Sequence, residues 1–146
     1  MNTGTTVKPG GSIQPTRIRK EEFGLWLDYI RTNPYYLHNP VFEVPIVPTE
    51  KSASWILDGY KRDWDLLNAP RADVIVKGIL NKDFVVELKV SADFNTLAQV
   101  MAYKALAETF GIVTSDAEML IITRNISNTN RYLADLSGIK IHRLQP

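Results

Sequence analysis

Three charged side chains interrupt the most strand-like stretch of the chain, "RADVIVKGILNKDFVVELKV": Asp73 in its first apolar run, and Glu87 and Lys89 in its second. An ion buried without a partner costs several kcal/mol, so charge in such runs calls for a chemical or electrostatic reason. Alternate strand residues share a face, which sets Glu87 and Lys89 on one side and Val86, Leu88 and Val90 on the other. A hairpin turning at residues 80 to 82 places Asp73 opposite Lys89 and residue 75 opposite Glu87. Cross-strand partners lie roughly 5 Å apart. A slip of one residue would send Asp73 to the opposite face. Two carboxylates on one patch can bind a hard divalent cation and leave positions for water and substrate oxygens. Such a metal lowers the pKa of bound water and stabilises charge on a phosphoryl oxygen. A lysine beside it can orient the attacking water or offset transition-state charge. A salt bridge of Lys89 with Asp73 or Glu87, serving the fold alone, is the plainer alternative.

Composition narrows the metal chemistry. The chain has 146 residues and no cysteine, which excludes disulfides and zinc–thiolate sites. His38 and His142 are its only histidines, too few for an imidazole cage. Oxygen ligands are left, and with them Mg²⁺, Mn²⁺ or Ca²⁺. The N-terminus "MNTGTTVKPGGSIQP" lacks the apolar core of a signal peptide, and no apolar run approaches a membrane span. A cytoplasmic protein is expected, and a virus or plasmid source is compatible with that. The net charge is +1, but basic residues gather at the ends. Lys8, Arg17, Arg19 and Lys20 stand without an acid near the start, and Arg124, Arg131, Lys140 and Arg143 face only Asp135 near the end. Basic ends around an acidic middle suit a protein that holds a polyanion near a metal.

The elements that must position these residues follow from periodicity. Residues 1–15, rich in Gly, Thr and Pro, read as a flexible arm, and 16–146 as a single domain. Ile18, Phe23, Trp26, Leu27 and Ile30 recur at helical spacing from Thr16, and the helix ends before Pro34. Residues 41–48 read as a strand, with Pro45 arguing for an edge position. Residues 49–70 read as a loop or short helix. The hairpin strands cover 72–77 and 84–90. A helix over 93–111 opens at Asp93 or Asn95 and closes at Gly111. A buried strand (117–125), a short helix (127–138) and a last strand (139–144) complete the order. The fold class is α/β, a mixed central sheet flanked by helices.

Asp73, the hairpin, Glu87-x-Lys89 and the following helix bearing Gln99 and Tyr103 together resemble the PD-(D/E)xK nuclease superfamily. That superfamily includes restriction endonucleases, Holliday-junction resolvases and RecB-type nucleases, and its αβββαβ core is similar to the order over residues 16 to 125. The resemblance implies that Asp73 and Glu87 bind the metal, Mg²⁺ or Mn²⁺, and that Lys89 acts at the attacking water. It also makes the Leu88 carbonyl a metal ligand. Gln99 and Tyr103, four apart on one helical face, resemble the Q-x-x-x-Y of RecB-like nucleases, which positions the site and the nucleic acid. A capping box of Gln99 with Thr96 and a rim-packing Tyr103 are the alternatives.

The chain departs from the family pattern in having Ala72 where the name has Pro. Many members add a first-helix glutamate. Glu22 takes that place over Glu21 because it shares a face with Ile18, Trp26 and Tyr29. Asp58, Asp63 and Asp65 are substitute ligands should the hairpin be misread.

For substrate contacts, Tyr60 and Trp64 interleave with Lys61 and Arg62 in a pattern suited to stacking and phosphate pairing. Lys104, Arg124 and Arg131 are further candidates for nucleic-acid contact. The implied activity is Mg²⁺- or Mn²⁺-dependent hydrolysis of DNA phosphodiesters, directed by structure (junction, flap, end or single strand), with a homodimer able to pair two sites on two strands. The alternative is an inactive nuclease-fold DNA-binding module in repair or in virus or plasmid replication.

Overall fold

The computed structural model describes residues 5–6, 18–33, 37–47, 69–78 and 82–145. Apolar residues at three- and four-residue steps build helix α1 (Lys20–Thr32), which buries Phe23, Leu25, Trp26, Tyr29 and Ile30 on one side. Glu21 and Glu22 occupy its first turn and Arg31 its last, each with the sign that suits the helix dipole. No described helix is long and apolar enough to cross a membrane.

Strand β1 (Thr5–Thr6) precedes α1. After it come β2 (Leu37–Pro45), β3 (Arg71–Gly78), β4 (Asp83–Leu88), β5 (Ser91–Ala92), helix α2 (Phe94–Thr109), β6 (Glu118–Thr123), β7 (Asn125–Ile126), helix α3 (Asn128–Leu136) and β8 (Ile139–Arg143). Among the described residues the main sheet has six strands in the order β1-β2-β3-β4-β6-β8. Its first half is antiparallel, β1 through β4. Its second half is parallel, because α2 and α3 carry the chain back between β4, β6 and β8. The mixed sheet with flanking helices is the architecture expected from the sequence, and α1 through β6 supply the αβββαβ order.

The sheet is covered on both sides. On one, α1 packs Phe23, Leu25 and Trp26 against Phe42, Val74, Val76, Val86, Leu88 and Ile122. On the other, Leu97, Val100 and Ala107 of α2 and Ala134 of α3 pack against Val85 and Ile121. All six residues of β4 are buried, as a strand covered on both faces must be.

Local details differ from the sequence expectation. β2 begins at Leu37 rather than residue 41, and a register shift between His38 and Val41 accompanies a left-handed Asn39 (φ 52°). That bulge hides the longer strand from a simple alternation count. β2 is also an interior strand, because Thr5 and Thr6, from the stretch read as an arm, pair with Phe42 and Val41. Pro45 lies beyond that short ladder, so its missing N–H breaks no bond with β1. The loop or short helix read over 49–70 lies almost wholly outside the described residues.

Helix α2 is opened by Asp93, whose side chain accepts from the Thr96 backbone N–H while Thr96 Oγ1 accepts from the Asp93 N–H. This capping box settles Asp93 over Asn95 and leaves no capping role for Gln99. Gly111 follows the helix at φ 74°, a left-handed position that glycine occupies without strain.

Leu25 is fully buried beneath α1, so Leu25→Ala leaves a cavity that its neighbours fill only in part. It is expected to cost about 2–5 kcal/mol, read as a lower urea midpoint at unchanged slope.

Candidate active site

The hairpin brings the charged residues together by a pairing two residues removed from the expected one. Val74 pairs with Val86, Ile75 with Val85 and Val76 with Phe84. Continuing that register by one step sets Asp73 opposite Glu87, not opposite Lys89. The slip is even-numbered, so the side-chain faces are preserved and the two carboxylates still meet. Asp73 Oδ2 accepts from the Leu88 backbone N–H at 2.9 Å, which ties the first carboxylate to the strand carrying the second. The N–H and C=O of one strand residue project to the same side, so the Leu88 carbonyl points toward β3 as well. The Leu88 side chain goes the other way, into the core under α1.

Glu87 is buried, at 4% exposure. Its Oε2 accepts from Gln99 Nε2 at 3.4 Å, and its Oε1 is buried with no donor among the described residues. Gln99 Nε2 also donates to the Tyr103 hydroxyl at 3.1 Å. The i, i+4 pair of α2 thus forms a short chain ending on the Glu87 carboxylate. Asp73 and Glu87 lie within hydrogen-bonding reach of each other.

Burial is the main cause that lifts the Asp73 pKa from 3.8 to about 6, opposed in part by the Leu88 N–H. Burial likewise holds the Glu87 pKa well above the usual glutamate range, and the Asp73 charge adds to the shift. Glu22, in the first turn of α1, raises both further through its charge. It does not join them as a third ligand here, for no three His, Asp or Glu side chains converge on one point among the described residues. Burial also raises the Tyr103 pKa, with the Glu87 charge second.

Lys89 follows β4, half-buried, with its backbone N–H on the Ile122 carbonyl at 3.1 Å. Its charge lowers the Asp73 pKa, yet among the described residues no ion pair joins it to Asp73 or Glu87. The fold-only salt bridge weighed from the sequence is therefore absent among the described residues. Raised pKa values, rather than an ion pair, answer the burial cost.

The substrate-contact candidates scatter. Lys61 and Arg62 lie outside the described residues, as do the substitute ligands Asp58, Asp63 and Asp65. Lys104 is held by Glu108 at 3.1 Å on α2. Arg124 turns to Asp28 of α1, whereas Arg131 is exposed on α3, which packs on the opposite face. These two do not line one cleft. His142 stacks edge-on against Tyr29, with ring centroids 4.7 Å apart, and burial lowers its pKa.

Two buried carboxylates among the described residues, Glu43 and Asp83, were not singled out by the sequence pattern. Glu43 falls opposite Asp73 in the β2–β3 register and has φ 57°. Its Oε1 accepts from the Ile18 N–H at 3.1 Å, so it anchors the approach to α1. A lone acid inside "VFEVPIV" was the available signal, of the same kind that marked Glu87.

No protein-family model matches the chain, and no curated protein matches it by sequence. Solved structures do. One is a repair endonuclease from Pyrococcus abyssi, with a TM-score of 0.55 at 15% identity over 92% of this chain. Another is EndoMS in a complex with dsDNA, with a TM-score of 0.52 at 14% identity over 93% of this chain. The chain shares its fold with these proteins. It spans about half their length, 50% of each.

Each raised pKa is also a statement about stability. Both carboxyls keep protons in the native state that the unfolded chain, near pKa 4, has already lost. Native stability therefore falls as pH rises from about 4 through the folded pKa values, and the loss is complete above them. Glu87→Gln removes the part of that loss that Glu87 carries. In EDTA it is expected to match the wild type near pH 4 and to exceed it in stability at pH 8, measured by urea unfolding at both pH values.

Proposed function

We propose that the chain is a divalent-metal-dependent nuclease that hydrolyses DNA phosphodiester bonds. The observation that carries this reading is Glu87 Oε1, a buried acceptor without a donor, on a carboxylate that faces Asp73 across one hairpin. Leaving a buried polar atom unmet costs about 1–3 kcal/mol, a cost that a hard cation at the pair would offset. The fold shared with a repair endonuclease and with a DNA-bound protein supports the nature of the substrate.

The donor set fits a hard cation. Asp73, Glu87 and the Leu88 carbonyl would hold Mg²⁺ or Mn²⁺, all three being oxygen ligands on adjoining positions of one hairpin. When bound, the ion supplies a more acidic water and a Lewis acid for the phosphoryl oxygens. The chain's own residues do the rest. Lys89, free of an ion pair among the described residues, is available to orient the attacking water and to offset the charge gathering on the phosphoryl group. Gln99 fixes the Glu87 carboxylate and ties it to Tyr103, so that α2 sets the orientation of a group on β4. In the reaction water forms the new P–O bond, the bond to the leaving nucleotide oxygen breaks, and that oxygen takes up a proton. Glu22 adds a negative charge that favours a cation at the pair. Recognition by DNA shape is the substrate mode proposed, with junction, flap, end and single-stranded forms as the candidates.

Cleavage of labelled single-stranded, duplex, flap and four-way-junction DNA in Mg²⁺, Mn²⁺ or EDTA tests this. Cutting is expected with metal only, and Glu87→Gln and Lys89→Ala should each lower the rate by about 100-fold or more. DNA binding without cutting by the wild type would sink the enzymatic reading.

A proton kept on the pair near pH 6, as the raised pKa values imply, offers a check that needs no turnover. Mn²⁺ must displace it, so calorimetric titration near pH 6 in buffers of different ionisation enthalpy should show about one proton released per ion. Glu87→Gln should abolish both the heat and the proton.

A further inference from the structure

On the α1 side, at the end of the sheet where β4, β6 and β8 finish, a cavity of about 530 Å³ opens between helix and strands. Its walls carry three guanidinium groups, those of Arg31, Arg124 and Arg143, and one carboxylate, that of Asp28. Asp28 divides its oxygens, Oδ1 to Arg31 at 3.2 Å and Oδ2 to Arg124. Arg124 spends its other terminal nitrogen on the Gln145 carbonyl at 3.1 Å. Arg143 uses only Nε, on the Arg124 carbonyl at 3.0 Å, so its two terminal NH₂ groups remain without a partner among the described residues. Burial keeps the nearby His142 on the neutral side. Among the described residues, three positive charges thus surround one negative charge.

We propose that this arginine cluster is a phosphate-binding site that grips the nucleic-acid strand beside the acidic pair. A structural ion pair needs one arginine for Asp28. Gathering two further guanidinium groups around it leaves an excess of positive charge that an added anion would offset. The free fork of Arg143 has the planar, two-pronged geometry that suits phosphate oxygens.

Position supports the assignment. The Lys89 N–H bonds the Ile122 carbonyl, the Arg124 N–H bonds the Val90 carbonyl, and Thr123 pairs with Arg143. Lys89, Arg124 and Arg143 therefore stand on three neighbouring strands at one end of the sheet, with about 4.8 Å between adjacent strands. A strand whose reacting phosphate lies at Asp73 and Glu87, on the α2 face, would pass Lys89 and round the end of the sheet to reach this cavity on the α1 face. The volume falls within the range of nucleotide-sized pockets, about 300–1,000 Å³. The identity of the anion as DNA phosphate rests on the nuclease reading; the affinity for phosphate itself does not.

The test is binding without chemistry. Fluorescence anisotropy of labelled single-stranded DNA in EDTA, across a salt series, compares the wild type with Arg31→Ala/Arg143→Ala and with Arg143→Lys. The double variant is expected to bind at least about 10-fold more weakly and to lose roughly one to two units of the slope of log K against log[salt]. Arg143→Lys, which keeps charge but not the fork, should fall between. Inorganic phosphate should raise the Tm of the wild type and not that of the double variant, which a merely structural cluster would not show. Equal losses on 5′-phosphorylated and 5′-hydroxyl DNA identify an internal phosphate, and a loss confined to the former identifies a terminal one; either supports the site. Unchanged affinity, salt slope and phosphate response in a folded double variant overturn it. That result can coexist with Glu87-dependent cleavage, and phosphate binding can persist where Glu87 proves dispensable, so the two readings fail separately.

Discussion

Two acidic side chains are forced face to face by a single antiparallel ladder, and the rest of the site is arranged around that constraint. The Val74–Val86 and Ile75–Val85 pairings leave Asp73 and Glu87 no choice but to meet. β4 is sealed by helices on both faces, so the meeting happens with little water. Raised pKa values and the donorless Glu87 oxygen both follow from acidic groups held close together where solvation is poor. The arrangement works against folding at neutral pH, and the large two-sided core is what tolerates it.

The sheet's mixed character decides where such a site can stand. Antiparallel β2, β3 and β4 bring carboxylates from different strands into rows, and Glu43, Asp73 and Glu87 lie along one such row. Their fates diverge with the backbone. The left-handed φ of Glu43 accompanies a hydrogen bond to the Ile18 N–H near the start of α1, while Asp73 and Glu87 remain facing each other. The parallel strands β6 and β8 then bring Arg124 and Arg143 to the same end as Lys89. Acid and base are thereby distributed along one end of the sheet, the acids attended by α2 and the arginines by α1.

Helix α2 links the two levels of organisation. Its capping box at Asp93 and Thr96 fixes where the helix starts, two residues after β5 ends. The start point decides which residues lie over β4. Gln99 falls above Glu87 and Tyr103 one turn further on, while Val100 and Ala107 fill the core beneath. A cap that serves the helix thus also aims the amide that holds the carboxylate.

Most of the element order and the identity of the acidic pair were legible in the residues alone. Periods of two and of 3.6 are local properties, and a charge inside an apolar run is visible without a structure. Asp73, Glu87 and Lys89, and the i, i+4 spacing of Gln99 and Tyr103, belong to this class. Three things were not legible. The hairpin register was two residues from the expected one because turn geometry sets it, and only parity was recoverable from alternation. The bulge at Asn39 concealed the length of β2. The gathering of Arg31, Arg124 and Arg143 around Asp28 joins residues more than ninety positions apart, which no local pattern encodes. Sequence by itself determined which groups carry charge and which face of each element they occupy, since both depend on residue type and backbone period. Tertiary structure alone decided their partners, because strand register and helix docking are fixed by packing over the whole sheet.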